Sequence, residues 1–326
     1  MPDCLAWRWR PDSCSARAVS LVDAAGPRAA LTANLGWFML ALGLGVYLVV
    51  MLLLAVGLLA RPDGRFQLSD SARTRLVVVG GLLGPAAVLL LLIGADLRTL
   101  VAVAAPPAPA DLALEVVGHQ WWWEVRYPDQ HFATANEIHI PTGSIVLIRL
   151  TSVDVIHSLW VPRLAGKTDV VPGQTSSMWL QADAAGDYRG ECAEYCGIQH
   201  ANMVFSVVAQ PLDQFQAWVA AQQQPAAAPA AADLARGAQA FAALGCIGCH
   251  ALRYGGAAPT GGGVGPDLTH LASRHTIAAG LASNDTATLE RWIANPESIK
   301  KGTTMPPTVT DADTLHALAA YLASLH

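Results

Sequence analysis

The chain has 326 residues, a formal net charge of −5, 53% hydrophobic residues and only 14% charged ones. Soluble domains average about 25% charged residues, so the composition excludes a purely soluble enzyme and a mainly disordered chain. The net negative charge excludes a nucleic-acid binder built on a basic patch. The charge is also uneven. It is +3 over residues 1–110, −7 over residues 111–220 and −1 over residues 221–326. The acidic middle segment is the one that steers basic partners.

Residues 1–30 form an N-terminal segment with Arg8, Arg10, Arg17 and Arg28 and no apolar run. A secretory signal needs such a run, so an intact signal peptide is not expected. A lipoprotein-type start at Cys14 is also disfavoured, because Arg10-Pro11-Asp12-Ser13 before it is a poor lipobox. Two apolar stretches follow, from about Asn34 to Ala60 and from about Leu76 to Ala95, with no charged residue inside either. Each has the roughly 20 residues that a bilayer-spanning helix needs. Buried core helices are the bland alternative. Two uncharged runs joined by a polar loop instead predict a transmembrane hairpin over residues 31–100. The loop carries Arg61, Arg65, Arg73 and Arg75, which places it in the cytoplasm and both chain ends outside. Residues 101–110, rich in Ala and Pro, read as a short stiff tether.

From Asp111 the texture changes to short β-rich runs: Leu112 to Val117, Ile138 to Ile140, Ser144 to Leu150, Gln174 to Leu180 and Asn202 to Ala209. Pro, Gly and Asp turns separate them, which predicts an all-β sandwich or barrel over residues 111–220. Residues 221–232, Gln- then Ala/Pro-rich, read as a low-complexity linker. Residues 233–326 turn helical. An opening helix spans Leu234 to Leu244, a closing one spans Asp313 to Leu325, and a Gly-rich loop at 255–265 lies between.

Two clusters carry chemistry. Cys192, Cys196, His200 and Met203 fall within twelve residues of sequence. Thiolate, imidazole and thioether together favour copper, and one-Cys versions of this set make blue-copper sites whose second His lies upstream. His157 fits that place. Two thiolates can bridge two copper ions, and a dinuclear centre in a rigid β frame suits fast electron transfer. A Cys192–Cys196 disulfide, a zinc site and a core role for Met203 are the competing readings. The five residues together point to dinuclear copper. The second cluster, Cys246-Ile247-Gly248-Cys249-His250, is the c-type haem attachment sequence. The two Cys take thioether bonds and His250 ligates the iron. A redox Cys-x-x-Cys would need a βαβ context that is absent from the predicted elements. Met305, the one Met after Met203, is the candidate sixth ligand, since Met/His ligation raises the potential. His270, His275, His316 and His326 read as solvated surface residues.

Over about residues 30–215 the chain resembles subunit II of haem–copper cytochrome c oxidases. The resemblance rests on the copper cluster, Gly118-His119-Gln120-Trp121-Trp122-Trp123, His157-Ser158-Leu159-Trp160-Val161-Pro162 and Lys167-Thr168-Asp169. It implies a multi-domain membrane protein: a two-helix hairpin, a cupredoxin-like Greek-key barrel and, fused to it, an all-α cytochrome c domain. It implies that His157, Cys192, Cys196, His200, Met203 and the backbone carbonyl of Glu194 bind the dinuclear CuA centre. It also implies that the Glu194 carboxylate reaches a magnesium site shared with subunit I. Trp121 would be where electrons enter, with Asp154 and other acids forming the docking surface for a cytochrome c donor. On a strand, Trp121 and Trp123 would share one face and Trp122 the other. Gly265-Pro266-Asp267-Leu268 resembles the loop whose Pro carbonyl holds the ligand His in small cytochromes c. One departure stands out. The family's membrane Glu near the start of the second helix would fall near Val78, and no acid lies between Arg75 and Pro85.

The resulting expectation is a caa-type oxidase subunit II in the bacterial inner membrane, with its copper and haem domains on the periplasmic face. Electrons would pass from an external cytochrome c or similar donor to haem c, to CuA, and on to subunit I, which reduces oxygen to water. No catalytic group of its own is expected on this chain. The partners are subunit I, other oxidase subunits and the membrane, with no nucleic acid. A subunit of a CuA-type nitric oxide reductase and a free-standing membrane-anchored electron carrier are the alternatives.

Overall fold

The computed structural model describes residues 20, 22–59, 69–254, 263–308 and 311–326. Cys4, Cys14, Arg61, Arg65 and most of the Gly-rich loop lie outside the described residues. Helix α1 spans Pro27–Leu59. It starts earlier than the apolar run because Pro27 sits at the first helical position, where its missing N–H is not needed. A second long helix is built from α2 (Asp70–Val78), a π turn at Val79–Leu83 and α3 (Gly84–Ala104). The Ser69 side chain caps it by accepting from Ala72 N. This helix also outruns its apolar core. It takes in residues 101–104 of the expected tether and ends just before Pro106 and Pro107, as the residue before a proline disfavours helix. Both helices are long and apolar enough to cross a membrane. Val78, where the family's acid would fall, ends α2 and opens into the π turn.

The hairpin's outer ends are fixed to the β domain. Arg28 donates to the Trp179 carbonyl at 3.0 Å, and Trp179 Nε1 donates to the Val103 carbonyl at 3.0 Å. Ala25 N donates to the Arg163 carbonyl at 2.7 Å.

The β domain is a sandwich of two five-stranded sheets. The first holds β1 (Leu112–His119), β2 (Trp122–Tyr127), β3 (Phe132–Ala135), β5 (Val146–Ser152) and β8 (Ser176–Leu180). The second holds β4 (Glu137–Pro141), β6 (His157–Val161), β7 (Ala165–Val170), β9 (Gly186–Cys192) and β10 (Val204–Gln210). Period-two patterning sets the faces. In β5, Val146, Ile148 and Leu150 are buried while Arg149 is exposed. Two parallel pairings, β1 with β5 and β4 with β10, close the Greek-key-type arrangement. Helix α4 (Leu212–Gln222) was not expected. It caps one end of the sandwich through Phe215 and Trp218, whose indole stacks on His139 with ring centres 3.9 Å apart.

The C-terminal domain packs α5 (Ala232–Ala243), α6 (Thr286–Ala294) and α7 (Ala312–Leu322). Asp285 and Asp311 cap α6 and α7 by accepting from Thr288 N and Thr314 N, each cap contributing about 1 kcal/mol. Gly237 lets α5 and α7 cross closely, since a Cβ there would lie 2.1 Å from the Ala317 carbonyl oxygen. The domain is not purely α. A two-stranded ladder, β11 (Thr276–Ile277) with β12 (Ala282–Ser283), interrupts it.

Two expectations need correcting. The segment read as a linker lies along the C-terminal domain: Ala226 is buried in its core, and Ala226 N donates to the Arg253 carbonyl at 2.8 Å. His270, expected at the surface, is buried because Nε2 donates to the Gln224 carbonyl at 2.9 Å.

Candidate functional site

The β9–β10 connection and the start of β6 bring five soft or borderline donors together. Cys192 ends β9, Met203 precedes β10 and His157 opens β6. His157 and Met203 are fully buried, and Cys192 and Cys196 nearly so. The loop is held by Cys192 N to the Met203 carbonyl at 3.0 Å and Ala193 N to the Ser158 carbonyl at 2.9 Å. Cys192 Sγ lies 3.8 Å from Cys196 Sγ, 3.9 Å from His157 Nδ1 and 3.3 Å from the Glu194 carbonyl oxygen. Cys196 Sγ lies 3.8 Å from His200 Nδ1 and 3.8 Å from Met203 Sδ.

A disulfide would bring the sulfurs to about 2.05 Å, far inside the observed separation. The two thiols perturb each other: their contact pushes Cys192 down, to about 3, and pushes Cys196 up. Two thiolates, two imidazoles, a thioether and a carbonyl form a donor set that fits copper and not a Cys/His zinc site.

Asp154 is exposed and also bonds inward. Its Oδ1 accepts from His157 Nε2 at 2.8 Å and from Val155 N at 2.6 Å, and its Oδ2 accepts from Gln120 N at 2.6 Å. Burial alone would raise the Asp154 pKa, but the His157 bond and two backbone bonds hold it below the usual range. The carboxylate therefore fixes the His157 ring with Nδ1 facing the sulfurs, the usual outer-shell role beside a ligating His. The Glu194 carboxylate is half exposed, 3.7 Å from Lys167 Nζ, which is itself 3.7 Å from Asp169.

The three Trp residues part company. Trp121 lies in the turn before β2, not on a strand, so it shares no face with Trp123. Trp123 is buried against His157 and Phe205, and Trp122 stacks on His119. Trp121 Nε1 donates to the Cys196 carbonyl at 2.9 Å, and Gln120 Nε2 donates to the same oxygen at 2.7 Å. The loop approaches this closely because Gly197 has φ 122°, and a Cβ there would lie 2.9 Å from the Trp121 ring.

Trp121 also borders a cleft with about 1430 Å³ of empty space, its mouth included. Cys246, Cys249, His250 and Met305 line it from the C-terminal domain, and Gln120, Trp121 and Trp122 line it from the β domain. His250 Nδ1 donates to the Pro266 carbonyl at 2.9 Å, which leaves Nε2 as the nitrogen for a metal. Burial lowers the His250 pKa, favouring the neutral ligand form. A Cys-x-x-Cys-His segment and a Met on one apolar cleft fit a covalently held haem.

Residues 129–210 match the family described as cytochrome C oxidase subunit II, periplasmic domain, and residues 234–326 match cytochrome c. The chain thus carries one region similar to the periplasmic domain of cytochrome c oxidase subunit II and a second region similar to cytochrome c. Cytochrome c oxidase subunit 2 of Alkalihalophilus pseudofirmus is 42% identical over 214 residues, covering 65% of this chain and 60% of that one. The same subunit of Bacillus sp. (strain PS3) is 35% identical over 223 residues, covering 66% and 62%. The chain thus spans about three fifths of the length of these relatives. The subunit II domain implies CuA copper and the cytochrome domain implies haem c, in agreement with the two donor sets.

Sequence reasoning missed the groups that join the two domains. Glu137, Arg274 and Lys300 are all buried. Glu137 Oε1 accepts from His275 N at 2.6 Å, Arg274 Nε donates to Thr134 Oγ1 at 3.2 Å, and Lys300 Nζ donates to the Trp121 carbonyl at 2.7 Å. No periodicity or motif marks such residues. The nearest signal is that Lys300 stands five positions before Met305.

Proposed function

We propose that this chain is the electron-transfer subunit of a proton-translocating respiratory terminal oxidase. It would receive electrons from a cytochrome c donor at its haem domain and deliver them through its copper domain to the oxygen-reducing subunit I. The observation that carries this reading is Trp121, whose indole bonds the Cys196 carbonyl while the same residue borders the haem cleft. When bound, the haem and the copper pair each supply a site that gains and loses one electron. Cys246 and Cys249 would hold the haem covalently, with His250 and Met305 as axial ligands. His157, Cys192, Cys196, His200, Met203 and the Glu194 carbonyl would hold the copper pair. Asp154 orients His157, and Trp121 bridges the two compartments through one side chain. The Glu194 carboxylate, beside Lys167 and Asp169, would be this chain's contribution to a magnesium site shared with subunit I. The two long helices would anchor it in the bacterial inner membrane, with both cofactor domains on the periplasmic side.

The test is flash-initiated electron transfer from haem to copper in the metal-loaded chain, at low and high salt. A tethered domain has an effective concentration in the millimolar range, and its docking groups are buried. The rate should therefore depend weakly on ionic strength. Trp121→Ala should slow the step and leave both optical spectra intact. A steep salt dependence, or an unchanged rate in Trp121→Ala, would refute this route.

A further inference from the structure

Lys300 is 4% exposed, although lysine is almost never fully buried unless paired. Its ammonium has three donors, and three carbonyls receive them: Trp121 at 2.7 Å, Asn202 at 3.2 Å and Ala278 at 3.2 Å. The first two belong to the copper domain and the third to the haem domain. Asn202 directly precedes Met203, and Trp121 is bonded to the Cys196 carbonyl. One buried cation therefore touches the backbone on both sides of the copper cluster and a turn of the haem domain.

The local backbone is shaped to make this contact. Ala278 and Ala279 adopt φ 54° and 59°, left-handed values that residues with a Cβ adopt only at a cost. That turn aims the Ala278 carbonyl at Lys300. Two residues beyond Lys300, Gly302 has φ 75°, and a Cβ there would lie 2.3 Å from Ile198 of the copper loop. The same loop then reaches Met305 on the haem cleft. Burial lowers the Lys300 ammonium to about 7, with the neighbouring Cys196 acting in the opposite direction. Desolvating an ammonium is expensive, so its retention here calls for a return in geometry.

We propose that Lys300 is a positioning residue that latches the haem domain to the copper domain and fixes Trp121 against the haem cleft. The inference rests on the electron-transfer reading above and adds the part that sets its geometry. The latch joins the loop bearing Met305 directly to the backbone of Trp121. An electron moving between the domains would then cross a fixed gap, not one that fluctuates with a swinging tether.

The experiment uses the full chain loaded with haem and copper, as wild type, Lys300→Met and Lys300→Arg. Lys300→Met keeps the stem and removes the three donors. Lys300→Arg keeps the charge and enough donors to restore part of the contact. Hydrogen exchange is read at residues 199–204 and 276–283. The haem and copper potentials are read by spectroelectrochemistry, and the haem-to-copper rate by flash initiation.

In Lys300→Met, exchange should rise in both segments and the rate should fall by up to about a hundredfold, the scale on which a misplacement of about 1 Å costs rate. Both centres should keep their spectra, the gap between their potentials should hold, and Lys300→Arg should recover part of the loss. Unchanged exchange would overturn the latch. Raised exchange with an unchanged rate, or a slowing accounted for by a change in the potential gap, would overturn its positioning role. If wild type itself passed no electron to copper, the electron-transfer reading would fall, and the exchange data would still decide whether the latch exists.

Discussion

Asp154 separates two accounts of the copper domain's acidic surface. If it docks a donor, Asp154→Asn should alter donor binding and its salt dependence while leaving the metal untouched. The geometry supports the other account. Asp154 accepts from His157 Nε2 at 2.8 Å and from Gln120 N at 2.6 Å, using one oxygen for each. An Asn can replace only one of these acceptors, and its amide then faces another donor. If the oxygen stays with His157, the Gln120 N–H next to Trp121 is left unsatisfied, at a cost of about 1–3 kcal/mol. If it stays with Gln120, the His157 ring loses its anchor. Loss of an outer-shell partner of a ligating His lowers metal affinity about 10- to 100-fold, equivalent to about 1.4–2.7 kcal/mol. The assay is competition for copper against a chelator, read by the spin-resonance signal of the copper pair, with urea unfolding of the loaded chain alongside. Copper affinity within twofold of wild type, combined with a changed salt dependence of donor oxidation, would refute the positioning role.

The remaining predictions concern the haem domain and its seat. Met305→Ala should leave haem attached through Cys246 and Cys249 but abolish the low-spin Met/His signature; an unchanged optical spectrum would exclude Met305 as the ligand. Glu137 is faced by His139, His275 and Arg274. Burial would raise its pKa, but the His139 bond and the His275 and His139 charges hold it below the usual carboxylate range. A carboxyl depressed in the folded state contributes stability that is full above its unfolded value, about 4.3, and is lost as pH falls through the folded value. Protection of the domain-face amides, taken relative to their intrinsic exchange at each pH, should therefore be high near neutral pH and fall in acid below that range. Glu137→Gln should weaken the contact at neutral pH and flatten the acid dependence, and a parallel acid profile in the variant would place the titrating group elsewhere.

What was legible in the sequence was chemistry confined to neighbouring residues. Haem attachment needs Cys246, Cys249 and His250 within five positions, so covalent geometry writes itself into the chain. Four copper donors sit on one loop for the same reason, and β5 shows its buried face by simple alternation. His157 had to be sought upstream, and only its place before Ser158-Leu159-Trp160 singled it out. The rest was illegible because it depends on pairs far apart. His275 and Glu137 are 138 positions apart, and Lys300 and Trp121 are 179 apart. A single buried Lys or Glu looks in sequence like any solvated charge. The inward bonds of the exposed Asp154 were not legible for that reason, since a free surface carboxylate and one that also holds a neighbouring ring are spelled alike. His270 and the 221–232 segment were misread because a polar, low-complexity stretch can lie against a domain as readily as it can swing.

That docked segment changes how the charge of the copper domain should be understood. A free tether would leave the haem domain to find Trp121 by diffusion, with help from attraction between the domains. Here Gln222 bonds Ser273, Gln224 bonds His270 and Ala226 enters the haem-domain core, so the search is largely over once the chain has folded. The −7 of residues 111–220 is then not needed to bring the fused domain in, and a haem domain at −1 would gain little from it. Long-range attraction works within about a Debye length, near 8 Å in physiological salt, and favours arrival more than final affinity. With Trp121 bordering the haem cleft and Gly302 packed against Ile198, a soluble donor cannot sit on the Trp121 face while the domains are docked. On the proposed reading, the acidic surface would gather a basic donor beside the haem domain, while the buried Lys300 contact would only hold the two domains in place for the onward transfer.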